Sequence, residues 1–468
     1  MNARQTLQLL QAYESRNVTF IEADGSWPIV WVRAKGVHVW DAGGKKYLDL
    51  TAAFGVAASG HANPRVVKAG QQQMAKLLHA MGDVHPHALK AQLARELSRI
   101  TFERWQRKSK VQSLRSNVAG RRARGATGKT IFCNSGFEAV EAALKTALLA
   151  TGKPGVIAFE GAYHGLGYGA LNATHRAHFR APFRNQLREF GHFVPFPKAG
   201  QASRTSRLQT TAAAARGNRD ACATLELTES RMRRLFRNGR IGAVLAEPIQ
   251  VRGGINLPPP GFLPMLRRLC DEHHALLILD EIYTGFGRTG RWFACEHSGT
   301  VPDVICLGKA LTGGFPLSAC VGRAALMDSA WPPSRGEAIH TSTFLGHPVG
   351  CAMALAHIKE LKERKLVQRS AELGKVLLAS LSTLDPRHSR LVLAPRGLGL
   401  LVGLEVCLQD GAPAMEAALR LVKTMLQRGF ILLPEGEHPN VIGFTPPLTI
   451  SPNQLKATVN ALQELLAL

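Results

Sequence analysis

The chain has 468 residues, 45% of them hydrophobic, which is enough for two or three domains with cores of their own. No run of 18 apolar residues is present, against a membrane-spanning helix, and the first ten residues lack the apolar stretch and cleavage site of a secretory signal. Eight cysteines stand singly, without CxxC spacing, so neither a metal site nor a disulfide framework is indicated, and a cytoplasmic location fits. The formal net charge of +24 raises nucleic acid as a partner. The blander reading, arginines spread over solvated faces, is preferred, and nucleic acid and membrane are set aside as partners.

In chain order, an amphipathic helix opens the sequence. Ile29–Val32 and Gly36–Trp40 read as strands, with a hairpin turn at Gly43-Gly44. Leu89, Leu93, Leu97 and Ile100 share one face of a helix over 88–100. A basic insert follows at about 105–129. Trp105 to Lys129 holds eight Lys or Arg and no acid, as a solvated loop does. Its end, Gly125-Ala-Thr-Gly-Lys-Thr130, imitates a phosphate-binding P-loop. Ala123 stands where the first glycine is required, and Thr130–Cys133 reads as strand rather than helix, so nucleoside triphosphate binding is rejected.

After that strand, Asn134-Ser-Gly-Phe-Glu starts a helix, with Ser135 as N-cap and Glu138 completing a capping box. The free N–H groups of Gly136 and Phe137 would face a phosphate at a positive helix end. Val156–Phe159 is a strand leading into Tyr163-His164-Gly165. Residues 198–240 form a second irregular surface insertion, with helix from Leu225 to Phe236. Ile241–Ala246 is a strand ending in Glu247-Pro248-Ile249-Gln250, and a helix over 261–273 follows.

The next two segments carry the chemistry. His274-Ala-Leu-Leu-Ile-Leu-Asp280 is an apolar run ending in a carboxylate, followed by Glu281-Ile-Tyr-Thr-Gly-Phe-Gly-Arg-Thr-Gly290. Val304-Ile-Cys-Leu307 is a second buried strand, and it delivers Lys309 between Gly308 and Gly313-Gly314. A lysine among apolar residues is desolvated, which favours the neutral amine that a carbonyl-attacking nucleophile needs. Taken alone, a lysine after a strand is ordinarily a surface snorkeller. Two strands that end in Asp280 and Lys309 instead suit a ligand site at the carboxyl edge of a parallel sheet. Beyond them come His340-Thr-Ser-Thr-Phe-Leu-Gly-His-Pro348, a long helix over about 348–382, strands over 397–408, a helix over 413–428, and Ser451-Pro-Asn-Gln454 as the cap of the last helix.

LDEIYTGFGRTG followed by LGKALTGGFPLSA resembles the signature of the class III aminotransferases that depend on pyridoxal 5'-phosphate (PLP), a family that includes the ornithine and 4-aminobutyrate enzymes. Six motifs stand in the family's order over nearly the whole chain. The resemblance implies an α/β fold: a mostly parallel seven-stranded sheet flanked by helices, the fold type I architecture, plus a small α+β domain. The expected division is 1–65 joining the small domain, 66–345 as the large PLP-binding domain, with basic inserts at about 105–129 and 198–224, and 346–468 as the rest of the small domain.

By the same resemblance, Lys309 holds PLP as a Schiff base and, once displaced, is the general base. Asp280 pairs with the pyridine nitrogen. Tyr163 and Ile282 cover the two ring faces, with His164 beside them. Ser135, Gly136 and Phe137 cup the phosphate, although the family often has threonine where Phe137 stands. Glu247 belongs to the Glu-Pro-x-Gln stretch. Tyr283 takes the place of a glutamine that touches the ring hydroxyl. Thr343 reaches the cofactor of a partner subunit, so a homodimer is expected. The family usually has a carboxylate-binding arginine where Gly443 stands, and Arg252 and Arg396 are candidates to replace it. The function implied is transfer of an amino group from an amino acid, ω-amino acid or diamine to a 2-oxo acid. Alternatives are an aminomutase or amino-acid decarboxylase on the same fold, and more remotely a basic nucleic-acid-binding protein.

Overall fold

The computed structural model of the chain describes residues 1–113, 127–199, 211–386 and 390–467. Its centre is a seven-stranded sheet made of β1 (Gly128–Cys133), β2 (Gly155–Phe159), β3 (Gly191–Val194), β4 (Ile241–Ala246), β5 (Leu276–Asp280), β6 (Val304–Leu307) and β7 (Ser318–Arg323), in the order β1-β7-β6-β5-β4-β2-β3. Only β7 runs against its neighbours; the other six share one direction. Every residue of β2, β4 and β6 is buried, which is why these strands are apolar throughout rather than alternating. Helices Gly136–Thr151, Thr211–Phe236 and Phe262–His273 connect the parallel strands. The first stops where Gly152 takes φ 65°, a left-handed cap open to glycine at no steric cost.

Two smaller sheets, one mixed and one antiparallel, complete the chain. Strands Trp31–Lys35, His38–Asp41 and Lys46–Asp49 form a meander, and Phe430–Ile431 joins it in parallel beside Lys46–Asp49. Leu391–Leu398, Leu401–Leu408, Val441–Phe444 and Leu433–Glu435 form the other.

The expected hairpin at Gly43-Gly44 is present, its turn fixed by Asp41 Oδ1 accepting from the N–H groups of Gly43 and Lys45. The helix over 88–100 and the cap at Ser451 are also as read. Four expectations need correction. The basic insert does not begin as a loop: Phe102–Ser113 is a helix, anchored by Trp105, which is buried edge-on between Phe102 and Phe293. Residues 114–126 lie outside the described part, including the start of the P-loop imitation; Thr130 to Cys133 is strand, as read. In the second insertion the helix begins at Thr211 rather than Leu225, because Thr-Ala-Ala-Ala-Ala is a strong helix former. The long helix after Pro348 is two helices, Pro348–Glu363 and Leu366–Ser382, broken at Lys365 with φ 50°. The strands before residue 408 begin at Leu391, because Leu391–Leu398 pairs along its whole length with Leu401–Leu408.

At the amino edge of the large sheet, away from the ends of β5 and β6, Asp303 is buried and ties three elements together. Its Oδ2 accepts from Arg267 Nη1 and from the backbone N–H of Leu277, each at 2.7 Å, and Arg323 pairs with Oδ1. Removing the carboxylate strands an N–H and two guanidinium groups. Asp303→Ala should therefore lower stability by about 3 kcal/mol, read as a shifted denaturation midpoint, with little effect on the chemistry at the opposite edge.

Candidate active site

The carboxyl ends of the parallel strands converge on one cavity of about 410 Å³, lined by Gly136, Phe137, Tyr163, His164, Gly165, Leu166, Glu247, Arg252, Asp280, Ile282, Tyr283, Thr284 and Lys309. The register explains the convergence. Asp280 is opposite Cys306 in the β5–β6 pair, so Lys309 emerges three residues further along the adjacent strand. Lys309 is held at φ 36°, in the left-handed region, at the start of a single 3₁₀ turn. Burial pushes its ammonium pKa down, opposed by the charges of Asp280 and Glu247. Its Nζ lies 4.6 Å from the centre of the Tyr283 ring.

Asp280 is 5% exposed and fully engaged on the protein side: Oδ2 meets His164 Nδ1 at 2.8 Å, and Oδ1 accepts from the Ile282 N–H at 3.1 Å. The second carboxylate of the pair, Glu281, points the other way. It accepts from the N–H groups of Ala294 and Cys295 and from Thr284, and burial raises it to about 7. The two neighbouring acids thus have separate work, Asp280 in the cavity and Glu281 holding the following loop.

Glu247 is also buried, with its carboxylate spanning two loops: Oε1 accepts from the Tyr163 N–H at 3.1 Å and Oε2 from the Val251 N–H at 3.2 Å. Burial raises it to about 7, with Asp280 adding to the rise and His164 opposing it. Gln250 of the same stretch donates to the Glu160 carbonyl at 2.8 Å. The Glu-Pro-x-Gln segment therefore positions the Tyr163-His164 loop.

At the helix end, Glu138 accepts from the N–H groups of Asn134 and Ser135 at 2.6 and 2.9 Å, and the Ser135 hydroxyl is buried with no hydrogen-bond partner. Phe137 packs into a fold of glycines. A Cβ on Gly165 would come within 2.3 Å of the Phe137 Cβ, and one on Gly167 within 2.6 Å of its ring. This explains how a phenylalanine is accommodated at that position.

Tyr283 faces the cavity, but its hydroxyl lies 3.3 Å from Thr445 Oγ1, and burial pushes the phenol up to about 12. The hydroxyl that is expected to meet a cofactor hydroxyl is thus also bonded within the protein. A Cβ on Gly55 would come within 2.9 Å of the Tyr283 ring, and Gly55 closes a left-handed turn at Ala52, Ala53 and Phe54 (φ 47°, 49° and 61°). Asp49 holds that turn, accepting from Thr51 and Ala53 and meeting His61 Nε2 at 2.7 Å. Thr343 is exposed and does not line the cavity.

Of the two arginines considered as carboxylate binders, Arg396 is engaged through all three nitrogens by Glu405 and by the carbonyls of Gly254 and Ile255. Arg252 lines the cavity. Residues the sequence did not single out are Arg176, which donates to the Arg252 carbonyl, and Glu435, which pairs with Arg252 at 2.8 Å. Glu435 carries no local motif; only the strand pairing of residues 433–444 brings it there.

The family model of the class III aminotransferases matches residues 20–466. The chain belongs to that family. This aminotransferase is 35% identical over 440 residues to the acetylornithine aminotransferase of Methanosarcina mazei, covering 94% of this chain and 92% of that one. It is 35% identical over 449 residues to the 5-aminovalerate aminotransferase of Pseudomonas aeruginosa, covering 93% of each. Among solved structures, an (S)-enantioselective ω-transaminase from Thermomicrobium roseum superposes with a TM-score of 0.82 at 26% identity, covering 99% of this chain and 98% of that one. The acetylornithine aminotransferase of Elizabethkingia anophelis gives 0.73 at 26% identity, covering 100% and 99%. The fold is accordingly that of the PLP-dependent transaminases.

The raised Glu247 makes a pH-dependent statement about stability. A carboxyl whose folded pKa is about 7 against 4.5 unfolded favours folding at low pH, and that contribution fades as pH rises through 7. In Glu247→Gln the contribution is absent at every pH. The stability of the variant relative to the parent should therefore rise between pH 5 and pH 8, by a few kcal/mol on the order of the shift, in denaturation series on cofactor-free protein.

Proposed function

We propose that this class III aminotransferase uses PLP, held by Lys309, to move an amino group from an ω-amino acid, amino acid or diamine donor to a 2-oxo acid. The observation that carries the reading is that one cavity receives both a buried amine with a depressed pKa and a carboxylate oriented by a histidine. The site fits the cofactor. Ser135 contributes a buried hydroxyl without a partner at a helix N-terminus, as a phosphate site requires. Gly136 and Gly308 leave room beside Ile282, where an added Cβ would come within 3.1 and 3.3 Å of its side chain.

When bound, PLP supplies an electron sink conjugated to the substrate carbon. The protein does the rest. Asp280, fixed by the His164 ring and the Ile282 N–H, holds a proton on the ring nitrogen. Tyr163 and Ile282 would flank the ring, and the first turn of the helix after Ser135 would take the phosphate. Lys309 Nζ, whose charged form burial disfavours, takes the proton from the substrate carbon and delivers it again. Arg252, the cavity-lining arginine, takes the carboxylate role that Gly443 cannot fill. Thr343 is assigned to the cofactor phosphate of the partner subunit in a homodimer, in keeping with its exposure on the isolated chain.

Lys309→Ala should abolish both the visible absorbance of the enzyme-linked cofactor and turnover. Asp280→Asn should keep the absorbance and lose ~100-fold or more in kcat, followed by stopped-flow spectroscopy with donor alone. Retained turnover in Lys309→Ala would refute the assignment.

A further inference from the structure

Two histidines cap helices where the loop that carries Thr343 is fastened to the body of the chain. His87 is the N-cap of the helix Ala88–Ile100, its Nδ1 accepting from the Lys90 N–H at 3.3 Å. His347 is the N-cap of Pro348–Glu363, its Nδ1 accepting from the Val349 N–H at 3.3 Å. The two caps meet at the end of the loop. His87 Nε2 lies 2.8 Å from the Gly346 carbonyl, which also takes the Cys351 thiol at 3.4 Å. His79 is edge-on to Phe344 at 5.2 Å and 5.9 Å from the His347 ring, and Phe315 packs on His347 at 5.3 Å.

An imidazole is an unusual choice for a cap. It accepts at Nδ1 only while that nitrogen is unprotonated. Protonation turns each acceptor into a donor facing a backbone N–H, and sets a positive charge at the positive end of a helix. Two such charges beside His79 would also repel one another. The groups around them do not offset this. Lys90 is a further cation, bound through Nζ to the Gly82 carbonyl. Burial pushes the Cys351 thiol up to about 12, so it brings no negative charge at neutral pH. Asp83 is the one acid of segment 77–87, and it is taken by Thr341 at the other end of the loop, while His85 is exposed and His340 faces Lys145. Burial, then His79 and His87, hold His347 below the ordinary imidazole range. Its contribution to stability is therefore complete above about pH 6.5 and is lost as pH falls further.

We propose that His87 and His347 are positioning residues that form a proton-operated latch on the 340–347 loop, closed while both rings accept at Nδ1 and released in acid, where the cofactor is held less firmly. The cofactor half rests on the aminotransferase reading, in which Thr343 of this loop serves the phosphate. Neither histidine lines the cavity.

The test reads loop and cofactor separately on the full, PLP-loaded chain at about pH 8 and about pH 5. Hydrogen exchange, corrected for its intrinsic pH dependence, should show peptides spanning 340–352 losing ~10-fold or more of their protection at the lower pH, while peptides from β5 and β6 keep theirs. The rate of PLP loss on dilution, followed by the visible band, should rise by ~10-fold or more over the same step. His347→Asn, which caps without titrating, should reduce both effects. His87→Ala should show at the higher pH the weakened protection that wild type shows in acid. Equal protection of 340–352 at both pH values in wild type overturns the latch, and this arm needs no variant to fold. An effect as steep in His347→Asn as in wild type overturns it as well. A loop that loosens without faster PLP loss overturns the cofactor half. A chain that forms no visible band at either pH refutes the aminotransferase reading, and the exchange arm still decides the latch.

Discussion

The parallel register between β5 and β6 is the constraint on which the site depends. Asp280 lies opposite Cys306, and every residue of Val304–Leu307 is buried, so the strand cannot slip without exposing its apolar side chains. That fixed pairing places a carboxylate and an amine at adjacent strand ends, where the backbone turns away and leaves room for a ligand. The remaining contacts refine the placement. His164 orients one oxygen of Asp280, Glu247 ties the His164 loop to the loop carrying Arg252, and Gly55, after the left-handed turn at Ala52–Phe54, packs on Tyr283.

Burial has two separate uses at this edge of the sheet. For Lys309 it lowers the pKa, in the direction that the proposed chemistry needs. For Glu247 and Glu281 it raises the pKa, and the energetic cost is offset by backbone N–H donors that fix loops. The same physical effect therefore acts on an amine in one case and on loop-holding carboxylates in the others, and what separates them is the backbone N–H donors that only the carboxylates accept. Asp280 faces it and Glu281, the next residue, does not, because successive side chains at a strand end leave on opposite sides.

Much of this was legible in the chain. The strands at 241–246, 276–280 and 304–307 are continuous apolar runs, and each ends in or just before a polar residue that lines the cavity. Motifs that depend on local backbone, such as the helix start at Ser135 and the cap at Ser451, carry their own signal. What was not legible depends on distant contacts. The burial of Trp105 needs Phe293, Glu435 needs Gly443 and Arg252, and the break at Lys365 has no glycine or proline to announce it. Phe137 read as a departure from the family pattern because its accommodation lies in Gly165 and Gly167, almost thirty residues away on another loop.

The short parallel pairing of Phe430–Ile431 with Lys46–Asp49 joins an early and a late segment beside the turn that Asp49 supports. Thr445 beneath Tyr283 and Glu435 beside Arg252 come from the same late segment. The large sheet that carries Asp280 and Lys309 uses residues 128–323 alone, whereas the contacts on Tyr283 and Arg252 close chain separations of 162 and 183 residues, so this wall of the cavity carries a loop-closure entropy that the sheet beneath it does not.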